Sequence, residues 1–195
     1  MAAVLATSGS GPTPYRFTVA EFERLCEAGI LTDDRVELID GELLLMRKVG
    51  GRHTGCIIRL DRTIQRLTLV GCFVSAQNPL LIDDRAEFLP DLAVCQGTGE
   101  SNSNPRANRA RLVIEVADSS RTHDRTVKFP RYATAGIAEA WLVDLADDRL
   151  ERHTEPREGG YRQIVWARRG EALDSTVLPG LVLDVDAVLG PPDEA

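Results

Sequence analysis

Few residues in this chain suit a zinc or redox centre. The sequence has four cysteines and three histidines. Cys26, Cys56, Cys72 and Cys95 are widely separated, with no CxxC pair and no zinc-site spacing, so free thiols in a reducing compartment are expected. The chain also lacks a P-loop, a dinucleotide-binding fingerprint and a nucleophile elbow, so nucleotide hydrolysis and hydride transfer have no support.

Basic charge is also scarce. The chain carries 30 acidic and 23 basic residues, with a formal net charge of -7 and a pI near 5.0. This balance argues against a broad surface that coats nucleic acid, but it allows contact with DNA through a local patch. Two basic groups are candidates: Arg106, Arg109 and Arg111, and then Arg121, Arg125, Lys128 and Arg131. Solvated charges on a loop and a helix face explain the first group about as well.

Long apolar runs are absent, and the first residues lack the basic and apolar segments of a secretory signal. We therefore expect a cytoplasmic protein with no membrane association. A length of 195 residues with 43% hydrophobic content suits one domain with a real core. We predict a disordered tail over 1–14 and a single domain over 15–190.

Apolar periodicity and turn signals predict a mixture of helices and strands. Thr18 and Glu21 form a capping box that predicts a helix ending at Gly29, and Asp40-Gly41 predicts a hairpin within 35–47. Apolar residues at helical spacing predict a second helix over 53–69. Further strands are predicted at 72–75, 80–82, 91–95, 112–116, 140–144, 149–153 and 161–166, with a short terminal element at 185–189. This order predicts an α/β or α+β fold in which helices flank a central sheet.

A third helix, predicted over 122–135, contains a difficulty. Pro130 inside a helix removes one backbone hydrogen bond and forces a kink, so this helix either begins late or bends. The preceding strand, 112–116, is almost continuously apolar, which predicts burial on both faces of a sheet. The loop before that strand, 97–108, is rich in Gly, Ser, Asn and Pro and is expected to be exposed.

Two acidic residues stand out because they lie at or beside apolar strands. Glu115 sits between Ile114 and Val116, and a buried carboxylate is costly unless it is paired, hydrogen-bonded or bound to a metal. A structural Glu paired with an arginine remains the alternative. Asp91 opens the strand at 91–95, where a strand-start aspartate is the simpler explanation. On adjacent strands the two carboxylates could hold Mg²⁺.

Basic and acidic residues nearby could complete such a site. Asp124 and Lys128 share a helix face, either as a surface ion pair or with Lys128 pointing back toward the metal to assist a water or a phosphate. Glu37 could lie on the same sheet and add a carboxylate, although the alternation of a half-exposed strand explains it as well. His53 is either a DNA contact or an N-terminal helix residue, and the second interpretation is preferred.

Combined motifs make the chain resemble the Uma family of restriction endonucleases, within the PD-(D/E)xK nuclease superfamily. The segments that carry the resemblance are VELIDGE (36–42), PDL (90–92), VIEVADSS (113–120), DRTVK (124–128), YATAGIAEAWLVD (132–144) and LPGL (178–181). The resemblance implies a restriction-endonuclease-like fold with a mixed central sheet and helices on both sides. Asp91 matches the PD aspartate and Glu115 the second acidic position, so both would bind metal.

One position departs from the simplest superfamily pattern, in which a lysine lies two residues after the second acid. Ala117 stands there, and the resemblance places the lysine on the following helix, at Lys128. Glu37 matches a recurrent acidic position. The resemblance thus implies hydrolysis of DNA phosphodiesters with Mg²⁺, or Mn²⁺, by Asp91, Glu115, Lys128 and Glu37. A homodimer is expected, since cutting both strands favours two sites.

Two other functions stay open at this point. A nuclease fold that no longer cuts would serve as a DNA-binding or regulatory module. A hydrolase of small phosphoesters would need a narrow closed pocket in place of an open groove.

Overall fold

A computed structural model describes residues 12–33, 35–46, 49–67, 70–101 and 103–191. The helices are α1 (Val19–Glu27), α2 (Gly51–Gln65), α3 (Arg121–His123), α4 (Phe129–Thr134) and α5 (Val185–Leu189). The strands are β1 (Val36–Ile39), β2 (Glu42–Leu45), β3 (Cys72–Ala76), β4 (Leu80–Asp83), β5 (Ala86–Phe88), β6 (Leu92–Gln96), β7 (Ala110–Ala117), β8 (Glu139–Asp144), β9 (Arg149–Arg157), β10 (Gly160–Arg168), β11 (Ala172–Asp174) and β12 (Val182–Asp184). Most of the predicted tail, residues 1–11, lies outside the described residues, as do Arg47 and Leu69 at the ends of two predicted elements.

A six-stranded mixed sheet forms the centre of the molecule, in the order β10-β9-β8-β7-β6-β3. Only β7 and β8 pair in parallel, joined by the helical segment 121–134, and the other neighbours are antiparallel. Alternate residues of β6, β7 and β8 enter two different core clusters. One face packs against α2 and α5, and the other against α4, so both faces are covered and the apolar runs of β7 and β8 are buried as predicted.

A second, four-stranded sheet in the order β2-β1-β5-β4 lies beside the central one. Helix α1, which begins at the predicted capping box of Thr18 and Glu21, packs Val19 and Phe22 against Leu38 of β1. Glu37 therefore belongs to this smaller sheet, and the expectation that it lies on the same sheet as Glu115 is wrong. Three strands of only three residues, β5, β11 and β12, were not predicted, because such short runs carry no periodicity.

The helical segment after β7 accommodates Pro130 by changing its pitch. Residues Asp124–Lys128 form a π-helical turn between α3 and α4, and Pro130 falls in the first turn of α4. A wider turn just before the proline relieves its clash with the preceding carbonyl, so the segment stays helical from 121 to 134. Within the described residues, no helix is long and apolar enough to cross a membrane.

Candidate active site

The register of β6 and β7 brings Asp91 and Glu115 to one face of the central sheet. Leu92 pairs with Ile114 in the antiparallel ladder, so the preceding Asp91 lies opposite Glu115. The backbone N–H of Val116 donates to Asp91 Oδ2 at 2.8 Å, which anchors the carboxylate across the two strands. The side chains of Asp91 and Glu115 are 13% and 5% exposed.

Lys128 comes from the π-helical turn and reaches the same face. Its ammonium lies 3.0 Å from Glu115 Oε1 and 3.0 Å from Glu37 Oε1, so it bridges the two sheets. Glu37 Oε1 also accepts a hydrogen bond of 2.8 Å from the backbone N–H of Leu89. Lys128 thus contacts two of the other three residues predicted for the site directly. Of the 23 basic residues only Lys48 and Lys128 are lysines, and the other basic residues are arginines. The site thus contains one of the two side-chain ammonium groups of the chain.

Tyr132 is a site residue that the sequence did not reveal. Its hydroxyl donates to Glu115 Oε1 at 2.6 Å, and its ring packs edge-on against Phe88. The residue lies four positions after Lys128, so it shares a helix face with the lysine. That spacing is the signal that could have identified it.

His53 lies in the first turn of α2, as preferred, but it also reaches the site. Its Nε2 lies 3.1 Å from Asp91 Oδ2, and the residue is only 6% exposed. The other ring nitrogen, Nδ1, is buried without a hydrogen-bond partner among the described residues. His53 therefore fixes the orientation of Asp91, together with the backbone of Val116.

Asp124 is not part of a surface ion pair, because both it and Lys128 are buried. Its carboxylate accepts a hydrogen bond of 2.7 Å from the Ser120 hydroxyl. Burial is the largest effect on Asp124 and raises its pKa, while the charge of Lys128 lowers it. Asp124 adds a further buried carboxylate near the lysine, and Ser120 contacts this acid instead of capping the helix with its side chain.

Negative charge exceeds positive charge at the site. Burial raises the pKa of Glu115 to about 8, an effect that Lys128 opposes and that the neighbouring carboxylates of Asp124, Asp91 and Glu37 reinforce. Burial alone would lower the pKa of Lys128, but Glu115, Glu37 and Asp124 raise it overall, so the ammonium stays charged. Burial and the Glu115 charge raise the pKa of Tyr132 well above its usual value, so its hydroxyl stays a donor.

The residues present fit a divalent cation of the magnesium type. Among the described residues no three His, Cys, Asp or Glu side chains form a ready-made ion site. Mg²⁺, however, usually takes one or two carboxylates and completes its shell with waters and substrate phosphates. The hydrogen bonds to Asp91 end on Oδ2 and those to Glu115 on Oε1, so one oxygen of each remains for a cation. Glu37 Oε2 is buried without a hydrogen-bond partner among the described residues, so this oxygen is an unused acceptor beside the site.

The basic group that follows Glu115 in sequence is divided between two tasks. Lys128 lies in the site, whereas Arg131 pairs with Asp40 on the hairpin turn. Arg125 pairs with Asp144 and Glu151, and Arg121 pairs with Asp147, beyond the end of β8. Arg121 and Arg125 therefore belong to an ion-pair network at the carboxyl end of β8.

The lowered pKa of Glu151 predicts that the free energy of unfolding decreases in acid. Its burial alone would raise its pKa, but hydrogen bonds from His153 and Arg125 and the charges of Arg125 and Arg149 lower it from 4.5 to about 2. Since the folded pKa is depressed, this stabilisation is present above pH 4.5 and is lost as the pH falls toward 2. We expect roughly 2 to 3 kcal/mol of unfolding free energy to disappear over that range.

Urea unfolding between pH 5 and pH 2 tests this expectation. The Glu151→Gln variant should lose less stability over that range than the wild type, whereas Glu158→Gln, at an exposed position, should behave like the wild type. An equal acid dependence for wild type and Glu151→Gln would contradict the prediction.

Comparison with known families places the chain in one of them. The model of the Uma2 family, described as "Putative restriction endonuclease", matches residues 19–186, which is most of the chain. The chain belongs to the Uma2 family. The resemblance seen in the sequence motifs is thereby confirmed. The matched residues include Glu37, Asp91, Glu115 and Lys128, so the whole candidate site lies within the Uma2 match.

The fold of this Uma2 member matches a solved structure. The crystal structure of a putative nuclease belonging to DUF820 from Anabaena variabilis ATCC 29413, at 1.96 Å resolution, superposes with a TM-score of 0.68 at 14% sequence identity. The match covers 89% of this chain and 97% of the other. At this identity the likeness concerns the fold, and it agrees with the predicted mixed central sheet flanked by helices. No curated protein matches the chain.

Proposed function

We propose that this Uma2 protein is a Mg²⁺-dependent DNA endonuclease that hydrolyses phosphodiester bonds. The observation that carries the proposal is the position of Asp91 and Glu115 on one face of the sheet, with the Lys128 ammonium 3.0 Å from Glu115. Two carboxylates at adjacent strand ends suit Mg²⁺ or Mn²⁺, and an ammonium suits a phosphate or an attacking water. Family membership supports the reaction class.

Each residue has a distinct task in the proposed reaction. Asp91 and Glu115 would hold the metal, which would supply Lewis-acid stabilisation of the phosphate. Lys128 would orient the attacking water or offset the charge that develops on the phosphate oxygens. Glu37 holds the ammonium in place, and Tyr132 and His53 keep Glu115 and Asp91 in fixed orientations. These supporting contacts keep the site rigid before substrate arrives.

A binding module without cleavage is the second candidate, and the burial of the site favours it. Less than 5% of the surface is exposed at each of Glu37, Glu115 and Lys128. A phosphate in solution can therefore contact only a small part of each residue. A small-phosphoester hydrolase has less support. Two surface cavities of about 490 and 390 Å³ are lined by residues such as Asp83 and Arg131, and none of the predicted site residues lines either one.

Conversion of supercoiled plasmid to the nicked form in Mg²⁺ or Mn²⁺ tests the proposal. We expect the wild type to nick the plasmid and Asp91→Ala to reduce the rate about a thousandfold or more, because a metal ligand is lost. The matched control is Asp61→Ala, on α2 away from the cluster, which should nick at the wild-type rate. Circular dichroism should show that Asp91→Ala remains folded.

The other outcomes separate the candidates. Tight DNA binding without cleavage by the wild type would favour the binding module. Equal cleavage by the wild type and Asp91→Ala would contradict the proposed site.

A further inference from the structure

A row of side chains crosses the central sheet from the site to its outer edge. The paired positions, from β7 to β10, are Glu115, Leu142, Glu151 and Trp166. Paired positions on neighbouring strands point to the same face, so Trp166 lies on the face that carries the site. Three strand spacings of about 4.8 Å place the Trp166 backbone roughly 14 Å from that of Glu115.

Trp166 is unusually open for a tryptophan. It is 51% exposed, and Ile164, two residues earlier on the same face of β10, is 54% exposed. The guanidinium carbon of Arg168 lies 5.0 Å from the Trp166 ring centre, a cation–π distance. Arg168 forms no ion pair within the described part of the chain, so its charge is available to a ligand. An open indole beside a free guanidinium is a suitable surface for a flat, anionic ligand such as a nucleotide.

The ion-pair network between this pair and the site carries partly exposed arginines beside one exposed carboxylate, Asp147, whose side chain is 48% exposed. Asp144 and Glu151 lie at the bottom of the ion-pair network, with side chains 0% and 7% exposed. The guanidinium groups of Arg125 and Arg149 lie above them and are 28% and 24% exposed. A chain of phosphates that leaves the site toward β10 would therefore meet cations on its way.

We propose that Trp166 and Arg168 bind a single-stranded segment of the DNA substrate, with an unpaired base on the indole and a phosphate on the guanidinium. The inference rests on the proposed nuclease function and narrows its substrate to DNA that contains an unpaired stretch near the cut. Bases within a continuous duplex are already stacked on both sides, so they offer no free face to Trp166. An unpaired base has such a face, and stacking on an aromatic side chain tolerates any base.

Tryptophan fluorescence tests the proposal directly, because the chain has only two tryptophans and Trp141 is fully buried. The titration uses the cleavage-deficient Glu115→Gln variant with oligothymidylate, and with the same strand annealed to oligoadenylate. We expect the single strand to quench the emission of Trp166 and the blunt duplex to leave it unchanged. Equal quenching by both ligands, or by neither, would overturn the proposal.

Variants measured by fluorescence anisotropy of labelled oligothymidylate provide the second arm. Trp166→Leu should weaken binding about fivefold to a hundredfold, as expected for the loss of one base stack. Arg168→Ala should also weaken binding. It should make the dependence of binding on salt concentration shallower, because one phosphate contact is lost. The matched controls are Val182→Ala, an exposed apolar residue on β12, and Arg62→Ala, an exposed arginine on α2, and both should bind like the parent. Unchanged binding by Trp166→Leu would overturn the proposal.

Two further outcomes distinguish this proposal from the nuclease assignment. Plasmid nicking by the wild type without a response of Trp166 to oligothymidylate would overturn only the single-strand site. A Trp166 response without any nicking would support the single-strand site and overturn the endonuclease. If Trp166→Leu instead converts a dimer into a monomer and leaves DNA binding unchanged, this face is a subunit interface and the proposal is wrong.

Discussion

Replacing Lys128 with methionine is expected to destabilise the protein by about 3 to 5 kcal/mol and to abolish metal-dependent cleavage. The methionine keeps the volume of the side chain but leaves Glu37 and Glu115 buried without the ammonium that now bridges them. Removing one partner of a buried ion pair costs this much because the remaining charge stays uncompensated. Urea unfolding at neutral pH measures the first effect and plasmid nicking the second.

Two further variants separate the charge of Lys128 from its shape. Lys128→Met combined with Glu115→Gln should recover part of the lost stability, since one uncompensated carboxylate is gone. Lys128→Arg keeps the charge, so its unfolding free energy should lie between those of Lys128→Met and the wild type or close to that of the wild type. It should not restore cleavage. A planar guanidinium cannot occupy the point 3.0 Å from both carboxylates as an ammonium does. Wild-type stability in Lys128→Met would contradict the buried bridge.

Glu115→Gln is expected to have the opposite combination of effects, with activity lost and stability kept or increased, because Lys128 keeps its ion pair with Glu37. The glutamine cannot supply an anionic oxygen to the metal, so cleavage should fall about a thousandfold or more. In the folded chain the pKa of Glu115 is raised from 4.5 to about 8. For an acid, a raised folded pKa means that stability is lost as the pH rises from 4.5 through 8. The variant should lack this loss.

Unfolding in the absence of divalent metal at pH 6 and pH 9 measures the difference. We expect Glu115→Gln to be more stable than the wild type at pH 9 and to differ less from it at pH 6. Added Mg²⁺ should stabilise the wild type and have no effect on the variant, because a ligand that binds the folded state stabilises it. If the unfolding free energies of the two proteins changed with pH in parallel, the raised pKa of Glu115 would be contradicted.

Much of the fold follows from local signals. The capping box at Thr18, the Asp-Gly hairpin turn and the continuous apolar run of β7 each predict the element that the structure contains. The prediction missed β5, β11 and β12, which are too short for periodicity. It also left open how Pro130 fits a helix, and the π-helical turn before it, which buries Asp124 and Lys128, has no local signal.

The candidate site was predictable in part for the same reason. Glu115 stands out because a carboxylate in an apolar strand needs a purpose, and the family resemblance pointed to Asp91, Lys128 and Glu37. Tyr132 has only its spacing of four positions from Lys128 as a signal, and His53 has none, since a histidine in the first turn of a helix is an ordinary feature. Their roles depend on contacts with residues 17 and 38 positions away along the chain.

The sequence by itself determined the class of fold and the family, and it pointed to acidic and basic residues for a candidate site, because these depend on periodicity, on residue type and on motifs. Only the tertiary structure decided which charges meet. It placed Glu37 on a second sheet, from which the Glu37 side chain still reaches Lys128. It also aligned Asp91 with Glu115 through strand register. It also set Trp166 on the same face as the site. Strand order and register bring together residues that are distant in sequence, and no local pattern encodes those distances.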